Sequence, residues 1–497
     1  MEEKNEVKNT CGLCGASAEN KCSACRQINY CSKEHQKNHW KSHKLNCKPF
    51  IIQKNAKKGR YIVASRNIKI NEILIKEDAI IIGPKLISPE SVCLGCFKPI
   101  VSVFTSPKCT KCGWPICHLQ CSGIGNEHKI ECEILAAENE KERKIYREIQ
   151  ELYLYLKDNI LKKINYDEVI TEEAFHRVCG ILDVNGLDVP FGSTELLALY
   201  PTFVLIEHSC LPNTKISFNK SQITIKSARA INTNENISTM YTNLLWGTQM
   251  RQQHLLNTKY FTCSCCRCED PTELGTHFSS IQCLQDNCYG YLIPKITLVV
   301  DSAWQCTNCS TVMSSSDVDE IVSTVTFEVD QMLEQKYPNV KKVETLLQKL
   351  LSILHPCHYN CFSVKHSLIQ LYGNQMGYPY SSLNDELLNK KTEYCQELIS
   401  VLSKLDSTGS RVPLYIAITK YELSAAILEI SRRIFFETLN LSLIQEKGKE
   451  AKKLLTESVI LLKEEKNSIT CFQLIRSCKN LYKEIDDILT GKYFPDF

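Results

Sequence analysis

The sequence predicts a multidomain α+β protein, with metal-nucleated modules, a β-rich centre and an all-α C-terminal domain. Three observations predict it. Cysteine and histidine recur in ligand-spaced pairs over residues 11–47, 93–132 and 263–309. Short segments between residues 57 and 85, and again between 201 and 241, alternate apolar and polar residues as half-buried strands do. From Val318 onward the apolar residues fall at helical spacing.

A chain of 497 residues exceeds one hydrophobic core and suggests three or four units. Its formal net charge is only +3, so no basic field argues for nucleic acid. The opening Met1-Glu2-Glu3-Lys4-Asn5-Glu6 has no apolar stretch and does not read as a secretory signal. No run approaches the ~18 apolar residues that would span a bilayer. The 28 cysteines could suggest a disulfide framework. Their C-x2-C and H-x3-C spacings point instead to zinc and a reducing interior, in nucleus and/or cytoplasm.

Residues 1–50 hold four ligand pairs: Cys11 and Cys14, Cys22 and Cys25, Cys31 and His35, His43 and Cys47. Eight thiolate and imidazole ligands make two closed tetrahedral zinc sites, and metal binding supplies most of the folding free energy of so short a stretch. Residues 51–90 read as a β meander through Tyr61-Ile62-Val63-Ala64, Glu72-Ile73-Leu74-Ile75 and Ala79-Ile80-Ile81-Ile82. Residues 91–135 repeat the four-pair order with Cys93 and Cys96, Cys109 and Cys112, Cys117 and Cys121, His128 and Cys132. Such self-similarity predicts a second binuclear module.

Residues 136–180 form a helical insert. Ile145, Ile149, Leu152, Leu156 and Ile160 make a helical stripe over 136–165, and Cys179 reads as a buried thiol. Residues 181–250 return to strands. Ile216/Phe218 and Ile223/Ile225 alternate around Asn219-Lys220-Ser221, a hairpin pattern, and Tyr241 ends a short apolar run. In residues 251–315, Cys263, Cys265 and Cys268 leave a tetrahedral site one ligand short, which Cys210 completes. Cys283, Cys288, Cys306 and Cys309 make one further set. Residues 316–497 are helical, with stripes at Val343, Leu346, Leu347, Leu350, Leu351, Leu354 and at Leu423, Ala426, Leu428, Ile430. His355-Pro356-Cys357-His358-Tyr359 reads as an interhelical turn rather than a metal site.

The block His208-Ser209-Cys210-Leu211-Pro212-Asn213, the strand ending at Tyr241, and Cys263-x-Cys265-x-x-Cys268 together resemble the second half of a SET domain with its post-SET zinc site. Leu245-Trp246-Gly247-Thr248 and Lys259-Tyr260-Phe261 resemble the SET–MYND branch, the SMYD-type protein-lysine methyltransferases. The segment Tyr30 to Cys47 resembles a MYND finger, with His35 where cysteine is usual. The second module resembles the insert of arthropod members. The resemblance implies a SET pseudoknot fold split by inserts, and a tetratricopeptide-like C-terminal domain. It also implies that the first finger interleaves Cys11, Cys14, Cys31 and His35 on one zinc and Cys22, Cys25, His43 and Cys47 on the other.

By the same resemblance the chain is an S-adenosylmethionine-dependent methyltransferase acting on a protein or histone-tail lysine. Tyr241 is then the catalytic residue. Lys58, Gly59, Arg60, Asn185, Glu207, His208 and Phe261 are the cofactor-binding residues. The family has glycine where Tyr61 stands and asparagine where Glu207 stands. Both departures fall on the donor pocket. A carboxylate there would repel the donor's own carboxylate and weaken binding, unless it is protonated or turned away. A second reading, a catalytically inactive SET-fold zinc scaffold, therefore stays open. The finger would dock proline-containing peptides or only prop its neighbour. Membrane insertion and direct nucleic-acid binding are not expected.

Overall fold

The computed structural model describes residues 10–22, 28–56, 58–84, 92–93, 95–100, 106–113, 115–121, 128–129, 132, 171–191, 194–438, 440–463 and 469–490. The helix expected over 136–165 and the ligand Cys25 lie outside the described residues. The chain divides into two compact units. One comprises Met1–Glu207 and Asn213–Thr239, the other His208–Pro212 and Met240–Phe497.

The first unit opens on β1 (Asn20–Lys21) paired with β2 (Asn29–Tyr30), followed by α1 (Lys33–Cys47). Ser32 starts this helix because its hydroxyl accepts the otherwise unpaired His35 N–H at 3.1 Å. Next come β3 (Phe50–Asn55) and β4 (Gly59–Ala64), an antiparallel hairpin in register Asn55 to Gly59. Gly59 takes φ 68°, a left-handed conformation that a side chain would strain. Strands β5 (Ile73–Asp78) and β6 (Ile81–Pro84) follow, then α2 (Glu172–Asn185), β7 (Leu187–Phe191) and β8 (Thr194–Leu199). Cys179, expected to be buried, is half-buried on α2, a helix with no buried residue.

After β9 (Glu207–His208) come β10 (Thr214–Asn219), β11 (Gln222–Ser227) and β12 (Ser238–Thr239). The predicted hairpin is β10–β11, with Ile216 opposite Ile225 and Phe218 opposite Ile223. Its outer partner is β5, giving the order β10-β11-β5, while β6, β8 and β7 form a second sheet in the order β6-β8-β7. Ile62, Val189, Tyr200, Ile223, Ile225 and Ile237 are wholly buried between these strands. A late segment runs beside an early strand: the Ala64 N–H donates to the Glu235 carbonyl, and the Ile237 N–H to that of Ile62. Glu77 accepts the Thr202 and Phe203 N–H groups (3.1 and 2.8 Å) and so fixes the turn leading to Glu207.

The second unit runs through α3 (Thr248–Lys259) and α4 (Cys266–Glu269) into a four-stranded sheet. Its strands β13 (Ile281–Gln282), β14 (Tyr291–Pro294), β15 (Trp304–Cys306) and β16 (Val312–Met313) pair in sequence order. Helices α5 (Ser315–Leu333), α6 (Val340–Leu351), α7 (Tyr359–Asn374), α8 (Asp385–Leu405), α9 (Pro413–Thr438), α10 (Leu441–Leu462) and α11 (Ile469–Leu489) complete it. Both apolar stripes face the core: Val343, Leu346, Leu347, Leu350, Leu354, Leu423, Ala426 and Leu428 are buried, while Leu351 and Ile430 are half-buried against it. The segment 355–358 is the turn between α6 and α7, with His358 capping α7. Helix α7 kinks at Gly373 (φ 98°), where the Tyr380 ring fills the space a Cβ would need. No helix among the described residues is long and apolar enough to cross a membrane.

Candidate functional site

In the first unit, Lys58 sits at the β3–β4 turn, its N–H donating to Asn55 Oδ1 at 2.7 Å. Its ammonium meets Glu207, with Nζ 2.9 Å from Oε1 and 3.1 Å from Oε2. The same ammonium lies 5.1 Å from the Tyr61 ring centroid, over its face. Tyr61 is anchored across the hairpin by its hydroxyl, which donates to Gln53 Oε1 at 3.0 Å. The two residues that depart from the SET–MYND pattern therefore meet on one lysine. Glu207, expected to face the donor's carboxylate, has Lys58 as its ion-pair partner. Arg60 and Asn185 border one cavity of about 280 Å³ with Leu199, Pro201 and Val204. The Asn185 amide donates to the Ile181 carbonyl at 3.0 Å, which holds it at the end of α2. Gly59 lies between Lys58 and Arg60 and supplies only the turn.

In the second unit, His208, Tyr241 and Phe261 form one aromatic group. The His208 ring centroid is 5.3 Å from that of Tyr241 and 6.0 Å from that of Phe261. His208 Nδ1 accepts the Tyr241 N–H at 2.9 Å, which leaves Nε2 to donate toward Cys210 Sγ at 3.3 Å. Burial pushes the imidazole down to about 4, so it is neutral. One histidine thus ties the Tyr241 backbone, two residues past the end of β12 where the sequence suggested a strand end, to a metal ligand, and Lys259 Nζ lies 6.0 Å over the Tyr241 ring.

The Cys210, Cys263, Cys265 and Cys268 sulfurs lie within 4.8 Å of one another, a tetrahedral thiolate set. Zinc with four thiolates carries a net charge of about −2, which buried surroundings must balance. Arg251 does so, its Nε 3.3 Å from Cys210 Sγ and its Nη2 3.6 Å from Cys268 Sγ. Arg251 and Arg267 are both fully buried, and both clasp buried Glu273, at 2.9 and 2.8 Å. Sequence reasoning missed this trio, since charged residues on a helix otherwise read as solvent-facing. It named Asn213 only as the end of the 208–213 block, without its bonds. That side chain accepts the Ser238 N–H (2.9 Å) and donates to the Asn236 carbonyl (2.8 Å), pinning the end of the 208–213 block to the segment before Tyr241.

Four other sets assemble. Cys11, Cys14, Cys31 and His35 converge in the N-terminal finger, and Cys283, Cys288, Cys306 and Cys309 in the β13–β16 sheet. In the second module, Cys93, Cys96, Cys117 and Cys121 form one set and Cys109, Cys112, His128 and Cys132 the other, so first and third pairs combine, as do second and fourth. Cys22 lies 3.6 Å from Cys47 Sγ and 3.4 Å from His43 Nε2, three ligands of the remaining finger site. The donor chemistry and closed four-ligand geometry are those of structural zinc.

These features define a cysteine-rich α+β protein with several zinc-type ligand sets, an N-terminal finger and a helical C-terminal region. The MYND finger family matches residues 11–47. SET domain-containing protein SmydA-8, isoform A, of Drosophila melanogaster is 25% identical over 403 residues, covering 72% of this chain and 84% of that protein. N-lysine methyltransferase SMYD2 of Homo sapiens is 26% identical over 269 residues, 53% of this chain and 51% of that protein, so that match takes in about half of each. Histone-lysine N-methyltransferase ASHR1 of Arabidopsis thaliana is 20% identical over 406 residues, 70% of this chain and 81% of that protein. The chain is thus similar to SET–MYND (SMYD-type) proteins and carries a MYND finger at residues 11–47.

Proposed function

We propose that the chain is an S-adenosylmethionine-dependent protein-lysine N-methyltransferase with weakened donor affinity. The observation that carries this reading is the His208 bridge, which ties the Tyr241 backbone and Cys210 into one rigid group beside Phe261. The relatives named as lysine methyltransferases support it. When bound, S-adenosylmethionine supplies an electrophilic methyl group. Arg60 and Asn185, which share a cavity in the first unit, offer a cation and an amide suited to the donor's polar end. Tyr241 addresses the other reactant. A free lysine amine has a pKa of about 10.4 and is almost wholly protonated at pH 7. Apolar walls such as Phe261 disfavour the ammonium, and the Tyr241 oxygen can hold the neutral amine's N–H while its lone pair is aimed.

The scaffold reading is favoured by one observation: Lys58 is already engaged by Glu207 and the Tyr61 face, so it is not free for a ligand's carboxylate. Incubating the purified chain with methyl-labelled donor and histones or cell-extract protein separates the two. Label transfer is expected, with Tyr241→Phe losing at least a hundredfold in rate at unchanged zinc content. No transfer at saturating donor, or full activity in Tyr241→Phe, would overturn the proposal.

A further inference from the structure

The second unit carries a cavity of about 620 Å³ that plays no part in the function proposed above. It runs between one face of α3 and one face of α5. Helix α3 contributes Met250, His254 and Asn257, and α5 contributes Asp319, Phe327 and Asp330. Trp246, Trp304 and Tyr359 complete the wall. Trp246 is braced edge-on against His254, with centroids 5.2 Å apart. Phe327 is 66% exposed, an aromatic ring left at the rim.

Its charge is one-sided. None of the lining residues is lysine or arginine. Helix α5 carries Asp317, Asp319, Glu320, Glu328 and Asp330 and no basic residue. Glu328 pairs with Lys349, whereas Asp319 and Asp330 have no ion-pair partner among the described residues. Partial burial holds the Asp319 carboxyl above its usual value, a cost that an arriving cation would relieve. Beneath the aromatics, His358 is wholly buried, and its Nδ1 accepts the Asn360 N–H at 3.2 Å. The proton therefore belongs to Nε2, which has no partner among the described residues. A peptide carbonyl would satisfy such a donor.

We propose that this groove docks a lysine-bearing segment of a partner protein. The aliphatic stems would lie on Met250, Phe327 and the tryptophans, and the ammonium groups would meet Asp319, Asp330 and the aromatic faces. The carboxylates give charge complementarity and the aromatic floor gives a reason to prefer a compact alkylammonium. This inference stands whether or not the chain transfers methyl groups.

The test uses the full chain and a fluorescein-labelled ten-residue peptide of alternating lysine and alanine, followed by fluorescence anisotropy. Saturable binding is expected that weakens as salt rises from 50 to 300 mM. The Asp319→Asn/Asp330→Asn variant should lose at least tenfold in affinity and Phe327→Ala severalfold. Glu437→Gln/Glu446→Gln, which neutralises two exposed carboxylates elsewhere, should stay within twofold. Absence of saturable binding, equal weakening in both double variants, or equal binding of the peptide with glutamate in place of lysine would overturn the proposal.

Discussion

Replacing Glu273 by glutamine keeps its shape and removes its charge, leaving Arg251 and Arg267 buried without a counterion. Both guanidiniums are within 3 Å of the carboxylate and are fully buried. At an effective dielectric of about 20 each pair gains roughly 5 kcal/mol of gross attraction, most of it offset by desolvation. Removing one member of such a group costs about 3–5 kcal/mol, because the partners stay buried and unpaired. For a unit of this size that is a fall of roughly 10 °C in the thermal midpoint. Burial alone would raise the Glu273 carboxyl, yet Arg251 and Arg267 hold it at about 2, against an ordinary value of 4.5. The stabilisation is therefore complete above about pH 4.5 and is lost as pH falls toward 2. Thermal melts of wild type and Glu273→Gln between pH 2 and 8 would measure both effects. A midpoint change under 2 °C would show that the two arginines are balanced by the thiolates alone.

Three further outcomes follow from the same contacts. Elemental analysis should find about six zinc ions per chain, and two or fewer would contradict the sets at Cys93–Cys132 and Cys283–Cys309. Cys210→Ser should release one zinc and lower thermal stability, since Cys210 also receives His208 and Arg251; full metal content would refute the shared role. Asn213→Ala removes bonds to Ser238 and Asn236 at a buried site and should cost about 2–4 kcal/mol in denaturant titration. A change below 0.5 kcal/mol would mean the 208–213 block is held by other contacts.

Ligand spacing and period-two alternation are local signals, so the zinc sets and the β10–β11 hairpin were legible in the sequence. The helical stripes at Val343–Leu354 and Leu423–Leu428 were legible for the same reason. The ion pair of Lys58 with Glu207 was not, because 149 residues separate them and no periodicity links them. Reading Glu207 alone gave a repelling charge, whereas the fold supplies its counterion. Arg251 and Arg267 escaped for a related reason. Their burial is set by the thiolates and Glu273, which only the folded chain brings around them.

The central claim, a methyltransferase whose donor site is partly self-occupied, is tested most directly by calorimetric titration with S-adenosylmethionine. Wild type and Glu207→Asn are compared. Half-exposed ion pairs contribute up to about 1 kcal/mol, so freeing Lys58 should tighten binding roughly fivefold. The account predicts weak, saturable binding by the wild type and tighter binding by Glu207→Asn. No heat of binding from either protein would contradict it and leave the scaffold reading standing.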